Sequence, residues 1–168
     1  MTDATRAQDA SGNTAPINAH VCLRTFTQLK PLELYQLLQL RSAVFVLEQR
    51  CLYQDIDGAD TRAMHLLVWH DKTLLGYGRL LPANQDHSSV RIGRIVVAPE
   101  FRTSGHGRWL IQLLRACSSQ LWPDCDIELS AQTHLQGLYG SCGFVSISEP
   151  YDEDGISHID MRWQAESK

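Results

Sequence analysis

Residues Arg94–Ala116 read "RIVVAPEFRTSGHGRWLIQLLRA". The β-branched run Ile95-Val96-Val97 is closed by Pro99. From about Gly105 the apolar spacing turns helical, with Leu110, Leu113, Leu114, Cys117 and Leu121 on one face. Between strand and helix stand Arg102, Thr103, Ser104, Gly105, His106 and Gly107. A strand that passes through a glycine-rich turn into a helix presents backbone N–H groups without intrahelical partners. The helix dipole adds about half a positive charge at the same place, so the turn suits a phosphate. Gly105 and Gly107 allow close backbone approach, Arg102 adds a forked cation, and Thr103 and Ser104 add hydroxyls. The alternative is a plain helix start with Ser104 as N-cap. Neither GxxxxGK[ST] nor GxGxxG is present.

Working outward, "MHLLVWH" (64–70) and "TLLGYGRLL" (73–81) predict two strands joined by Asp71-Lys72, and "VRIGRIVVA" (90–98) a central strand. "DIELSAQ" (126–132) alternates, with Ile127, Leu129 and Ala131 facing one way. A first strand is expected from His20, then a helix from Pro31 to about Gln49 carrying Leu34, Leu37, Leu38, Val44 and Phe45. A short helix is expected over 133–141. "GFVSISEP" and "GISHIDMRW" read as the last two strands, on either side of the polar loop "YDEDG". This order predicts one mixed α/β domain over 20–168. Residues 1–19 hold a single large aliphatic, Ile17, and read as a disordered tail.

Bulk properties narrow the function. The 168 residues suffice for one core, and a formal net charge of −4 with scattered Lys and Arg leaves no footprint for nucleic acid. No stretch approaches a membrane span, and no signal peptide is evident. Cys22, Cys51, Cys117, Cys125 and Cys142 form no CxxC pair and read as free thiols of a cytoplasmic protein. An EF-hand begun at Asp55 would put Asp60 at the glycine position and Leu66 at that of the bidentate Glu, so no metal is expected.

Arg102-x-x-Gly105-x-Gly107 after "RIVVAPEF" resembles the R/Q-x-x-G-x-G/A pyrophosphate motif of the GNAT acyl-CoA N-acyltransferases, and "LYGSCGF" (138–144) their LYxxxGF signature. "RSAVFVLEQRCLYQDIDGAD" (41–60), "LSAQTHLQGLYGSCGF" (129–144) and "EPYDEDGISHIDM" (149–161) resemble the ElaA-like branch. The resemblance implies a mostly antiparallel twisted sheet of about six to seven strands flanked by helices. It also implies splaying between Ile92–Ala98 and Ile127–Ala131, where a pantetheine arm inserts. The implied reaction moves an acetyl group from acetyl-CoA to a primary amine within a ternary complex.

The resemblance further implies that backbone groups of Val96 and Val97 pair with pantetheine. Donors from Ser104 through Gly105, His106 and Gly107 to Arg108 hold the diphosphate, with Arg102 beside it and Thr103 in the same turn. Gln132 stands where many relatives carry an Asn that bonds the arm. Tyr139 matches the general acid to the departing thiolate. An alkylamine must also lose a proton, which costs about 4–5 kcal/mol for a lysine-like group at neutral pH, at 1.36 kcal/mol per pKa unit. His158, Glu128 and Glu48 are the candidate bases, and a water relay stays open.

In this superfamily the acceptor groove lies beside "CLYQDIDGAD" and "SEPYDEDG". Asp55, Asp57, Asp60, Glu149, Asp152, Glu153 and Asp154 concentrate negative charge there, which suits an amine or polyamine acceptor. The same fold acting as a non-catalytic CoA sensor is the alternative. A homodimer is left open.

Overall fold

A computed structural model describes residues 18–50, 53–85, 87–102 and 104–165. The expected tail therefore falls outside them except at Asn18 and Ala19, and Ala19 already belongs to a strand. Thr103 and Cys51 also lie outside the described residues.

The strands are β1 (Ala19–Thr25), β2 (Met64–His70), β3 (Thr73–Leu81), β4 (Val90–Val97), β5 (Ile127–Gln132), β6 (Val145–Ser146), β7 (Tyr151–Glu153) and β8 (Ile156–Trp163). They form one eight-stranded sheet in the order β1-β2-β3-β4-β5-β8-β6, with β7 also on β8. Among the described residues only β4 and β5 run parallel; the other pairings are antiparallel. The mixed, mostly antiparallel sheet is the one expected.

Helices α1 (Pro31–Arg41), α2 (His106–Leu121) and α3 (Gln136–Gly140) cover the sheet. β2 and β3 are buried on both faces, which is why they read as nearly unbroken apolar runs. Leu37 of α1 packs with Leu67, Trp69, Tyr77 and Val96 in one core. Leu110, Ile111 and Leu114 of α2 pack with Leu66, Val68 and Leu80 in the other. Each such side chain contributes about 1.5–3 kcal/mol when fully buried. The buried stripe of α2 is turned from the one expected: Ile111 and Ser118 are buried while Leu121 is 40% exposed. A Cβ on Gly78 would meet Leu114 at 2.5 Å, so the glycine permits α2 to lie this close to β3.

Two readings are refined. The first helix is regular to Arg41 and then widens into a π-helix over Ser42–Glu48; over two turns, apolar spacing does not separate the two periods. The "polar loop" holds β7, which forms a hairpin with β8 through Asp154 (φ 53°) and Gly155 (φ 82°). Positive φ at both turn residues is the type I′ geometry that Asp-Gly favours. Exposed on an edge, β7 carries no hydrophobic alternation to announce it.

Candidate active site

β4 and β5 pair only at Val90–Ile127 and Arg91–Glu128 and then part. β4 is also bulged: Tyr77 of β3 faces Val96 while Arg79 faces Gly93, which leaves one extra residue in β4. Arg94 sits at that bulge with φ 53°, a conformation costing on the order of 1 kcal/mol or more for a non-glycine residue. The parting leaves a cavity of about 320 Å³, walled by Ile92, Gly93, Arg94 and Ile95 on one side and Leu129, Ser130 and Gln132 on the other.

The bulge is held by ion pairs. Arg94 donates from Nε to Asp55 Oδ1 at 2.8 Å and from Nη2 to Asp57 Oδ2 at 3.2 Å. Arg41 donates to Asp55 Oδ2 at 3.0 Å and to Asp60 Oδ1 at 2.9 Å. Arg79 donates to both oxygens of Asp57 at 2.8 and 2.7 Å, and to Asp60 at 2.9 Å. Burial alone would raise the carboxyls of Asp57 and Asp60. The arginines outweigh it and hold both below the usual carboxylate range. Beside them His65, pushed down chiefly by burial, donates from Nε2 to the Asp60 carbonyl at 2.9 Å. Its Nδ1 therefore accepts from the Tyr77 hydroxyl at 2.8 Å.

This corrects the acceptor reading. Asp55, Asp57 and Asp60 do not offer free negative charge, because Arg41, Arg79 and Arg94 cancel them; they pin the segment after the π-helix to β3 and β4. No spacing rule links those arginines to these acids. The available signal was Arg79 inside the apolar run "TLLGYGRLL", since a cation in a doubly buried strand must be paired. Of the second acidic group, Glu153 and Asp154 do line the cavity.

The candidates for chemistry divide. Tyr139, His158 and Gln132 line the cavity together. Burial, with a smaller push from Cys142, raises the Tyr139 phenol to about 12. His158 places Nδ1 2.9 Å from the Ile156 carbonyl, which can only accept, so Nδ1 carries the proton and Nε2 an open lone pair. Gln132 donates to Gln49 Oε1 at 3.1 Å, joining β5 to the end of the π-helix. Glu128 is not brought to this cavity: its Oε1 accepts from Arg162 at 2.9 and 2.6 Å and from Ser89 at 3.1 Å. Glu48 is bound elsewhere, accepting from both terminal nitrogens of Arg102 at 2.6 and 3.0 Å.

α2 begins just past the C-terminal end of β4. Gly105, not Ser104, is its N-cap, at φ 78°, and no side-chain cap is present among the described residues. A side chain there would be strained, and a Cβ on Gly107 would face open space. His106 locks the turn by donating from Nδ1 to the Phe101 carbonyl at 2.7 Å. Arg102 donates from Nε to the Val97 carbonyl at 3.1 Å, on the strand assigned to the pantetheine. Ser104 and Arg108 are exposed, and Val96 is buried.

A family model for the acetyltransferase (GNAT) domain matches residues 24–165. The chain belongs to this family. Within the GNAT family it is similar to protein ElaA of Escherichia coli, at 44% identity over 137 residues, covering 80% of this chain and 90% of ElaA. The crystal structure of E. coli ElaA matches with a TM-score of 0.83 at 40% identity, covering 87% of this chain and 99% of that one. An acyl-CoA N-acyltransferase from Pseudomonas aeruginosa matches with a TM-score of 0.82 at 43% identity, covering 86% and 99%. A spermidine N-acetyltransferase from Vibrio cholerae, solved with CoA and spermine, shares the fold at 22% identity and a TM-score of 0.65, covering 84% and 94%. This GNAT domain is thus an acetyltransferase, built around a sheet that opens between β4 and β5.

Proposed function

We propose that the protein moves an acetyl group from acetyl-CoA directly to a primary amine, both bound at once. The observation that carries this is the β4–β5 parting, with a helix start at Gly105 just past the end of β4 and Tyr139 and His158 in the cavity it opens. The diphosphate takes the free backbone N–H groups between Ser104 and Arg108, with Arg102 turning to it. The pantetheine lies along the open edge of Val96 and Val97, and Gln132 meets it from β5.

The amine reaches the thioester uncharged. His158 Nε2 takes its proton, directly or through water, and the nitrogen lone pair adds to the carbonyl carbon. The C–N bond forms, the C–S bond breaks with the electron pair leaving on sulfur, and the nitrogen, now cationic, gives up its second proton to solvent. Tyr139, protonated throughout the neutral range, donates a hydrogen bond to that sulfur. Full proton transfer from a phenol near 12 to a thiolate near 8.5 is uphill by several pKa units, so the role is stabilisation of the leaving group, with solvent supplying the final proton. The four described cysteines are free thiols, which fits work in a reducing cytoplasm.

The test is release of free thiol when the purified protein meets acetyl-CoA and a panel of amines. Amine-dependent release supports transfer. Saturable acetyl-CoA binding without release from any amine would turn the reading into that of a CoA-binding module.

A further inference from the structure

We infer that the acceptor is a small amine bearing a carboxylate several bonds from the nitrogen. This rests on the acyl-transfer reading and names the substrate class of the same cavity.

Most of the charge around the cavity is already cancelled. Arg79 and Arg94 stand in its wall but are committed to Asp57, Asp60 and Asp55. Arg91 of β4 is different. It lines the cavity, is half-buried, and has no ion-pair partner among the described residues. Glu128, its neighbour across the β4–β5 pairing, is held by Arg162 at 2.6 Å. The opposite charge comes from the β7–β8 turn, where Glu153 and Asp154 line the cavity with no arginine or lysine paired to either among the described residues. Glu153 Oε2 stands 3.8 Å from His158 Nδ1. One end of the cavity thus attracts an ammonium, beside His158, and the other a carboxylate.

Register sets the distance between those ends. Arg91 lies level with Glu128 of β5, and His158 level with Gln132, four residues further along. At about 3.3 Å per residue this is about 13 Å along the strands, and crossing from β4 over β5 to β8 adds two strand spacings of about 4.8 Å sideways. The reach of Arg91 shortens the span, yet an α-amino acid, with both charges on one carbon, does not bridge it. An amine and carboxylate separated by a chain of several carbons does. The cavity volume of about 320 Å³ is at the small end of ligand sites, which favours a free metabolite-sized molecule over a folded protein segment.

Thiol release from acetyl-CoA is measured with 6-aminohexanoate, hexylamine, 1,6-diaminohexane and alanine, using the full chain and its Arg91→Gln variant. The expected native kcat/KM for 6-aminohexanoate exceeds that for hexylamine by about tenfold or more, the value of a charged hydrogen bond. Alanine and the diamine fall below it. In Arg91→Gln the ratio of 6-aminohexanoate to hexylamine drops to within about twofold. Native preference for hexylamine or the diamine, or an unchanged ratio in the variant, overturns the inference while leaving acyl transfer intact. No thiol release from any acceptor, with acetyl-CoA still bound, removes acyl transfer itself and this inference with it. If the variant fails to fold, the four native rates still decide.

Discussion

Glu48 grips both terminal nitrogens of Arg102, at 2.6 and 3.0 Å, while Arg102 Nε donates to the Val97 carbonyl at 3.1 Å. The carboxylate holds the place that a diphosphate takes in the proposed complex. Arg102→Ala should therefore raise the KM for acetyl-CoA about tenfold or more, by loss of a charged contact. Glu48→Gln should act in the opposite sense and tighten acetyl-CoA binding about two- to fivefold, since an exposed pair is worth about 1 kcal/mol at most. Calorimetric titration of the native chain and both variants checks the two signs together.

Tyr139 should matter for rate and little for binding. Tyr139→Phe removes the donor to sulfur and should lower kcat about 10- to 100-fold, with acetyl-CoA affinity within about twofold of native. Because burial raises the phenol to about 12, its acid form persists as pH rises, and kcat should show no falling limb from Tyr139 below about pH 10. A limb near pH 8 that Tyr139→Phe removes would contradict the role.

His158 and Glu128 should separate cleanly. His158→Ala should lower kcat about 100-fold or more. Glu128→Gln, away from the cavity and bound to Arg162, should leave kcat unchanged. Its cost should appear as stability, about 0.5–1 kcal/mol from a half-buried pair with Arg162, or about 1–4 °C in melting temperature. Steady-state rates across pH and thermal melts of both variants measure this.

The aspartate–arginine network should govern acid stability. Asp57 and Asp60 have folded-state pKa values depressed below the unfolded value of about 3.9. Their contribution is thus fully present above that value and is lost as pH falls through the folded ones. Urea midpoints should be flat across about pH 5–7 on this account and fall below about pH 4. Asp60→Ala, which takes one partner from each of Arg41 and Arg79 while Asp55 and Asp57 remain, should cost about 1–3 kcal/mol at neutral pH.

The sheet strands 64–70 and 73–81 were legible because burial on both faces leaves continuous apolar runs between turn residues. The helix start at Gly105 was legible for a different reason: Pro99 closes the β-branched run, and helical apolar spacing begins just past the glycines. β7 was not read, although Asp154-Gly155 was the available signal; an edge hairpin with exposed side chains shows no periodicity. Glu128 and Glu48 could be placed on faces from spacing, yet which arginine each would meet depends on residues 34 and 54 positions away. Asp55, Asp57 and Asp60 looked like surface charge because their partners lie in three other elements. Long-range ion pairing leaves no local trace.

The most direct measurement is a crystal structure of the protein with acetyl-CoA. The account predicts the diphosphate within hydrogen-bond distance of backbone nitrogens between Ser104 and Arg108, Arg102 released from Glu48, and the thioester between β4 and β5 near Tyr139. A diphosphate bound elsewhere, or a thioester outside the gap between those strands, would contradict it.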